Sequence, residues 1–150
     1  MKIERQGGFL LSKIHHLSGR IFSRMLKEHG VDINPAQGRI MFVLWQEDEL
    51  PIRELAKRTS LGKSTLTSML DRLEAAGLIL RERSETDRRV IVVKRTEKDR
   101  SRKRTYERVS QEMTEIYYAG LSEPEIERFE TTLDRILANL ANHEGGTRRE

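Results

Sequence analysis

The sequence predicts a mainly α-helical chain with one small β-hairpin, organised as a single domain over residues 1–150. Apolar residues recur every three or four positions along most of the chain, which is the periodicity of helices that bury one face. Two runs that favour strands, an apolar start in 78–83 and a β-branched run in 90–94, flank six polar or charged residues, as in a hairpin. Hydrophobic residues make up 36% of the chain and charged residues 35%. The apolar positions therefore have to form narrow stripes rather than continuous buried runs.

Composition excludes several classes of protein. The chain has no cysteine, which rules out disulfides, zinc–thiolate sites and thiol redox sensing. The longest apolar run, residues 40–45, is too short to span a bilayer, and the N-terminus lacks the apolar core of a secretion signal. We therefore expect a soluble, cytoplasmic protein that does not associate with membranes.

The sequence offers no chemistry of the kind that enzymes use. It contains no Gly-x-Ser-x-Gly elbow, phosphate-binding loop or His-Glu-x-x-His helix. His15 and His16 are adjacent, so we expect them to point to different sides of a helix, and His29 and His143 are distant in sequence. We expect neither enzymatic activity nor a metal site or cofactor.

The first helix is predicted from about residue 8 to residue 29, ending at Gly30. At ~1.5 Å per residue it is roughly 33 Å long, which is more than a small core can cover. Its apolar stripe consists of Leu10, Ile14, Leu17, Ile21 and Met25.

The second helix has a strong start signal. Asn34 is a favourable N-cap, Pro35 suits the first helical position, and Gln37 can bond back to the cap. Residues 40–45 are apolar nearly all round, so we expect this helix to be the most buried one. Trp45 lies in that run and is expected to belong to the core rather than to a ligand site. Residues 47–49 are acidic and are predicted to form a loop.

The next segment has the spacing of a helix-turn-helix. A short helix opens at Pro51 and ends near Thr59, a turn contains Ser60 where glycine is commoner, and a second helix covers residues 63–76 and closes at Gly77. The buried positions that define this spacing are Ile52, Leu55, Ala56, Leu61, Leu66 and Met69.

The outward face of that second helix is short and polar, as DNA recognition requires. Serine and threonine reach base edges or phosphates, and arginine can bind guanine through two hydrogen bonds. The alternative is a merely solvated face. Serine and threonine, however, are poor helix formers, and this cost in helix stability is easier to explain if the face binds DNA. The predicted DNA-contacting residues are Lys63, Ser64, Thr65, Thr67, Ser68 and Arg72.

The charge distribution supports this interpretation. Residues 51–104 carry 16 Lys and Arg against 8 Asp and Glu, whereas the rest of the chain carries 12 against 16. A local positive excess favours a polyanion, because phosphate neutralisation releases counterions.

The hairpin has a charged tip that could lie in a minor groove. Arg88 and Arg89 are the predicted contacts, since the narrow, negative minor groove attracts arginine. Asp87 is predicted to hold a guanidinium by a charge-assisted hydrogen bond. The alternative is an ordinary surface ion pair worth under about 1 kcal/mol.

The C-terminal third is predicted to be helical. A long helix starts at Thr96, is basic through Arg104 and then apolar, and Gly120 separates it from a last helix that starts at residues 122–125. Together with the first helix, these stripes exceed what one small domain can bury, so we expect a homodimer. Residues 8–30 and 96–142 are assigned to dimerisation, residues 34–94 to DNA binding, and residues 143–150 to a flexible tail.

Four motifs together resemble the multiple-antibiotic-resistance regulator (MarR) family of winged-helix repressors. The similarity spans most of the chain, and one detail departs from the family pattern. Where a strand usually ends in Leu-Thr-x-x-Gly, this chain has Arg95-Thr96-Glu97-Lys98-Asp99, in which Thr96 can still cap the next helix. The four motifs are Leu61-Gly62-Lys63-Ser64-Thr65-Leu66-Thr67, Leu70-Asp71-Arg72-Leu73-Glu74, Gly77-Leu78-Ile79 and Asp87-Arg88-Arg89.

The resemblance implies a triangular homodimer that represses transcription from a pseudo-palindromic operator, with Arg89 in the minor groove. It also implies a small-molecule effector in a crevice that His16, Arg20 and Trp45 could border, and Arg20 favours an anionic aromatic ligand. An alternative is a constitutive architectural DNA-binding protein without an effector. A winged helix that binds proteins instead should lack the basic stripe.

Overall fold

The computed structural model describes residues 1–147 and confirms a mainly helical fold with a small antiparallel sheet. The chain divides into two compact units, residues 1–113 and the residues from 114 onward. In chain order, the elements are α1 (Gly7–Glu28), α2 (Pro35–Gln46), β1 (Leu50–Pro51), α3 (Ile52–Thr59), α4 (Lys63–Ala75), β2 (Ile79–Arg83), β3 (Ile91–Arg95), α5 (Glu97–Arg100), α6 (Lys103–Tyr117) and α7 (Glu123–Thr147).

Helix α2 lies at the centre of the first unit, as predicted. Ile40, Met41 and Leu44 are completely buried, together with Leu55 of α3 and Leu73 of α4. Because apolar side chains surround α2 on several sides, the helix-turn-helix has a rigid support.

The predicted capping box at the start of α2 is present. The side-chain oxygen of Asn34 accepts a hydrogen bond from the backbone N–H of Gln37 at 2.8 Å, and the Gln37 side chain accepts one from the backbone N–H of Asn34 at 2.8 Å. Two backbone donors that the helix itself cannot pair are thereby satisfied.

Replacing Asn34 with alanine should lower the free energy of unfolding by about 1 kcal/mol, because it leaves the backbone N–H of Gln37 without its acceptor. Urea denaturation followed by circular dichroism measures the change. Asn142→Ala, at an exposed position within α7, is the matched control and should change the stability by less than about 0.5 kcal/mol. Equal effects of the two substitutions would show that the capping box contributes nothing measurable.

The sheet has three strands in the order β1-β3-β2, and the sequence predicted only two of them. Leu50 pairs with Val93 and Pro51 pairs with Val92. The sequence predicts that a helix opens at Pro51, so the strand β1 is a correction. A two-residue strand gives no periodicity to detect, and proline, which lacks an N–H, is tolerated because β1 is an edge strand.

The long helix predicted from Thr96 is interrupted. Thr96 does cap α5, with its Oγ1 accepting from the backbone N–H of Asp99 at 3.2 Å. The Ser101 hydroxyl then donates to the carbonyl of Lys98 at 2.7 Å, and the N–H of Arg102 bonds to the carbonyl of Asp99. The Arg102 bond spans three residues instead of four, so a short turn at residues 101–102 separates α5 from α6.

This turn closes a buried polar cluster. Asp99 is completely buried, forms an ion pair with Arg95, and accepts a hydrogen bond from the Tyr106 hydroxyl at 2.6 Å. Burial and the hydrogen bond to Asp99 raise the pKa of Tyr106 above its ordinary value, so this hydroxyl remains a donor. The end of β3 is thereby fastened to both α5 and α6.

The second unit begins within α6 and continues through α7. Ser122 starts α7 by accepting a hydrogen bond from the N–H of Glu125 at 3.3 Å. Residues 143–147, assigned above to a tail, belong to α7, and the other residues of that assignment, 148–150, lie outside the described residues. In the described part of the chain, no helix combines the length and apolar character needed to cross a membrane.

Candidate nucleic-acid interface

The turn between α3 and α4 is held by a residue that the sequence did not single out. Thr59 is buried, its hydroxyl donates to the carbonyl of Leu55 at 2.6 Å, and the same oxygen accepts from the N–H of Leu61 at 3.3 Å. Ser60 follows in the left-handed conformation with φ 55°. Thr59 therefore sets the direction in which α4 leaves the turn.

Helix α4 divides into the two predicted faces. Leu66, Met69, Leu70 and Leu73 are buried, and all six predicted DNA contacts on this helix are exposed. Four of the six share an open groove of about 520 Å³, which Asp71 also lines, whereas Thr65 and Arg72 are exposed outside its lining. The four are Lys63, Ser64, Thr67 and Ser68.

Arg81 fastens α4 to strand β2. Its Nη2 donates to Oδ1 of Asp71 at 2.6 Å, and its Nε donates to Oε2 of Glu74 at 2.7 Å. Hydrogen bonds to Glu74 and Asp71 raise the pKa of Arg81. No local sequence pattern points to Arg81, because its partners lie seven and ten positions away on another element. The bridge fixes the angle between α4 and the hairpin.

Gly77 lets the chain reverse between these two elements. Its φ of 77° favours glycine, its N–H bonds to the carbonyl of Glu74, and the N–H of Leu78 bonds to the carbonyl of Leu73. This pair of bonds is a Schellman motif, which ends α4 and directs the chain into β2.

The hairpin, residues 79–95, is called the wing below. At its tip, Asp87 accepts from Nε and Nη2 of Arg89 at 3.1 and 3.2 Å, so the predicted pair is present. The side chain of Arg89 is 90% exposed. Arg88 is also exposed, and its carbonyl accepts from Nη1 of Arg83 at 3.0 Å.

Two cations act on the Asp87 carboxyl at the wing tip. The hydrogen bonds from Arg89 hold the pKa of the Asp87 carboxyl below its ordinary value, and the charge of Arg53 acts in the same direction. Asp87 therefore stays ionised and keeps orienting the Arg89 guanidinium until the pH falls through this lowered pKa. Arg53, an exposed residue of α3, is a further cation that sequence reasoning did not place near the wing.

The candidate effector residues fall into two places. His16 and Arg20 line a groove of about 270 Å³ between α1 and α2, together with His15 and Pro35. Our expectation that the two histidines point to different sides of α1 was wrong, since both face this groove with ring centroids 5.7 Å apart. Neighbouring helical positions diverge by about 100°, which long side chains at a groove can bridge.

Trp45 lies at a different cavity, of about 380 Å³, which Phe42 and Lys103 also line. Its ring stacks on Tyr106 with centroids 4.2 Å apart and packs against the core. Trp45 therefore lies outside the lining of the groove at His16 and Arg20. Within residues 1–147, no group of three or more His, Asp or Glu side chains is placed to hold a metal ion.

Residues 33–91 match the model of the MarR family. The chain is 33% identical to the HTH-type transcriptional regulator TtmR of Methylorubrum extorquens over 101 residues, which are 67% of this chain and 51% of that protein. It is 34% identical to the organic hydroperoxide resistance transcriptional regulator of Bacillus subtilis over 99 residues, 65% of each protein. The matched part thus spans between half and two thirds of these relatives.

Solved structures share the fold. A MarR transcriptional regulator from Methanosarcina mazei superposes with a TM-score of 0.82 at 18% identity, covering 95% of this chain and 94% of that one. A mutant MarR from E. coli, complexed with operator DNA, superposes with a TM-score of 0.76 at 25% identity, covering 87% and 92%.

Proposed function

Because the chain belongs to the MarR family, we propose that it binds double-stranded DNA as a homodimer and regulates transcription from a pseudo-palindromic operator. One observation carries this proposal. The polar groove of α4 and the exposed Arg89 of the wing lie on one unit, and the Arg81 bridge holds their elements together. A major-groove helix and a minor-groove arginine in fixed relation can read one half-site.

Exposed apolar side chains on the terminal helices support the dimer. On α1, Phe9 is 68% exposed, and on α7, Leu137 and Leu140 are each 65% exposed. Large apolar surfaces of this kind are costly in water and mark interaction sites. A second copy of the chain is the occupant we propose, because a twofold dimer also doubles the number of half-sites read.

The groove of His16 and Arg20 is the proposed effector site. Arg20 is exposed and supplies a cation, so we propose an anionic ligand with an aromatic ring. The ligand acts by preferring one of two arrangements of the dimer, and we propose that it releases DNA, which makes the protein a ligand-responsive repressor.

Substitutions on α4 should change sequence preference rather than overall affinity. Ser64→Ala should lower discrimination at one base position by about 1–3 kcal/mol, and Thr65→Ala should do so at a neighbouring position. Binding titrations against single-base operator variants measure these effects. Equal losses on all duplexes would show that both side chains contact phosphates only.

Selection of bound duplexes from a random pool, repeated with benzoate present, tests the proposed function. The proposal predicts enrichment of an inverted repeat and weaker recovery of that repeat with benzoate. Recovery of duplexes without a shared motif would instead favour the constitutive architectural protein. Transcription in vitro from a promoter that overlaps the enriched site should fall when the protein is added, and a rise would make it an activator.

A further inference from the structure

Arg39, in the middle of α2, connects the effector groove to the helix-turn-helix. Its Nη2 donates to Nε2 of His15, a groove residue, at 3.0 Å. Its Nη1 donates to the backbone carbonyl of Thr59 at 3.0 Å. One partly buried guanidinium therefore spans from the groove to the last residue of α3.

The guanidinium of Arg39 lacks the partner that arginine prefers. Within the described residues 1–147, it forms no ion pair with a carboxylate, and neither does Arg20. A neutral imidazole offers one acceptor atom and no charge. A carboxylate offers two charged oxygens that match the guanidinium fork, so it competes effectively for Arg39.

The Thr59 carbonyl would lose its hydrogen-bond donor if a carboxylate drew Arg39 away. Thr59 is 2% exposed, and it precedes Ser60, the left-handed residue of the turn. A buried carbonyl that loses its donor is costly, and water can reach it only if the surrounding chain moves. Since the Thr59 hydroxyl accepts from the N–H of Leu61, movement of Thr59 falls on the turn that aims α4.

We propose that Arg39 is the residue that transmits effector binding to the DNA-reading helix. A carboxylate in the groove draws the guanidinium from His15 and from the Thr59 carbonyl, and the α3–α4 turn shifts. This mechanism rests on the proposed function and specifies its regulation. It gives the effector a chemical class, a small carboxylate, and it gives Arg39 two roles, contact with that carboxylate and support of the α3–α4 turn.

Arg39→Lys separates these two roles. Lysine keeps the charge that attracts a carboxylate, but its single ammonium group lacks the planar fork that reaches His15 and Thr59 together. We expect benzoate to bind this variant more weakly than the native protein, as calorimetry measures, because one ammonium group cannot hold both carboxylate oxygens. At saturating benzoate, its effect on DNA affinity should fall from about tenfold to less than about twofold. Arg24→Lys, the same change at an exposed position of α1 outside the groove lining, should respond as the native protein does.

Hydrogen exchange of the backbone amides of residues 59–62 gives a readout that needs no DNA. Benzoate should speed exchange there in the native protein and not in Arg39→Lys. An unchanged benzoate response in Arg39→Lys, in either assay, overturns the proposal. So does a native protein in which benzoate fails to bind or leaves this exchange unaltered. If the exchange changes but no duplex is bound specifically, the transmission through Arg39 survives and the proposed DNA-binding function fails.

Discussion

Replacing Arg89 with alanine should weaken binding to the selected operator by about 10- to 100-fold and reduce the steepness of its salt dependence by about one unit. The Arg89 side chain is 90% exposed, and its only described partner is Asp87 at the same wing tip. The free protein therefore loses little when this side chain is removed. The complex loses a guanidinium in the minor groove and the counterion release that accompanies it. Fluorescence anisotropy titrations at several salt concentrations measure both quantities.

Two further variants make this result specific. Arg128→Ala removes the same charge from an exposed position on α7 and should leave both affinity and salt slope nearly unchanged. Asp87→Asn keeps Arg89 but weakens the bidentate bond that orients it, so its loss should be smaller than that of Arg89→Ala. Native affinity and native slope in Arg89→Ala would remove the wing tip from the interface.

Replacing Asp99 with asparagine should lower the free energy of unfolding by about 3–5 kcal/mol. Asp99 is completely buried and is the described ion-pair partner of Arg95, whose side chain is only 14% exposed. Asparagine has almost the same shape but no charge, so the Arg95 guanidinium is left buried and uncompensated. Urea denaturation of the free protein measures the change.

Two further variants separate the cost of an unpaired Arg95 charge from the loss of the Tyr106 hydrogen bond. Arg95→Leu together with Asp99→Asn removes both charges and should be less destabilising than Asp99→Asn alone. Tyr106→Phe removes only one hydrogen bond to the carboxylate and should lower the free energy of unfolding by about 1.5–3 kcal/mol. If the double variant is the least stable of the three, the cost of an unpaired charge is not what Asp99 prevents.

Local signals explain what the sequence predicted correctly. The Asn34 capping box, the turn at Ser60 and the apolar stripe of α4 each depend on residues within a few positions of one another. Patterns of this length determine helix ends and helix faces directly. The helical periodicity of apolar residues also separates the buried side of α4 from its exposed side.

Contacts between distant residues explain what the sequence did not predict. The bridges made by Arg81 and Arg39 join elements whose spatial relation no periodicity specifies. The cluster around Asp99 likewise joins β3, α5 and α6 through Arg95 and Tyr106. The chain departs from the family's Leu-Thr-x-x-Gly pattern at two positions, Arg95 and Asp99, and these two side chains pair with each other.

The positions of the candidate effector residues also depend on helix packing that the sequence pattern does not specify. The sequence predicts only that the helices of His16, Arg20 and Trp45 could border one crevice. The structure puts the first two at a groove between α1 and α2 and the third against Tyr106. Helical periodicity identifies the side of a helix but not the cavity that this side faces, which depends on how the helices pack.

Hydroxyl-radical footprinting on the duplex enriched by selection tests the central claim most directly. Two identical half-site footprints, related by a twofold axis and separated by about 34 Å or one helical turn, are the predicted result. The Arg89→Ala variant should lose the protected minor-groove positions at the outer edge of each half-site and retain the rest. A single asymmetric footprint, or uniform protection without a defined centre, would contradict a dimer that presents two α4 helices to one operator.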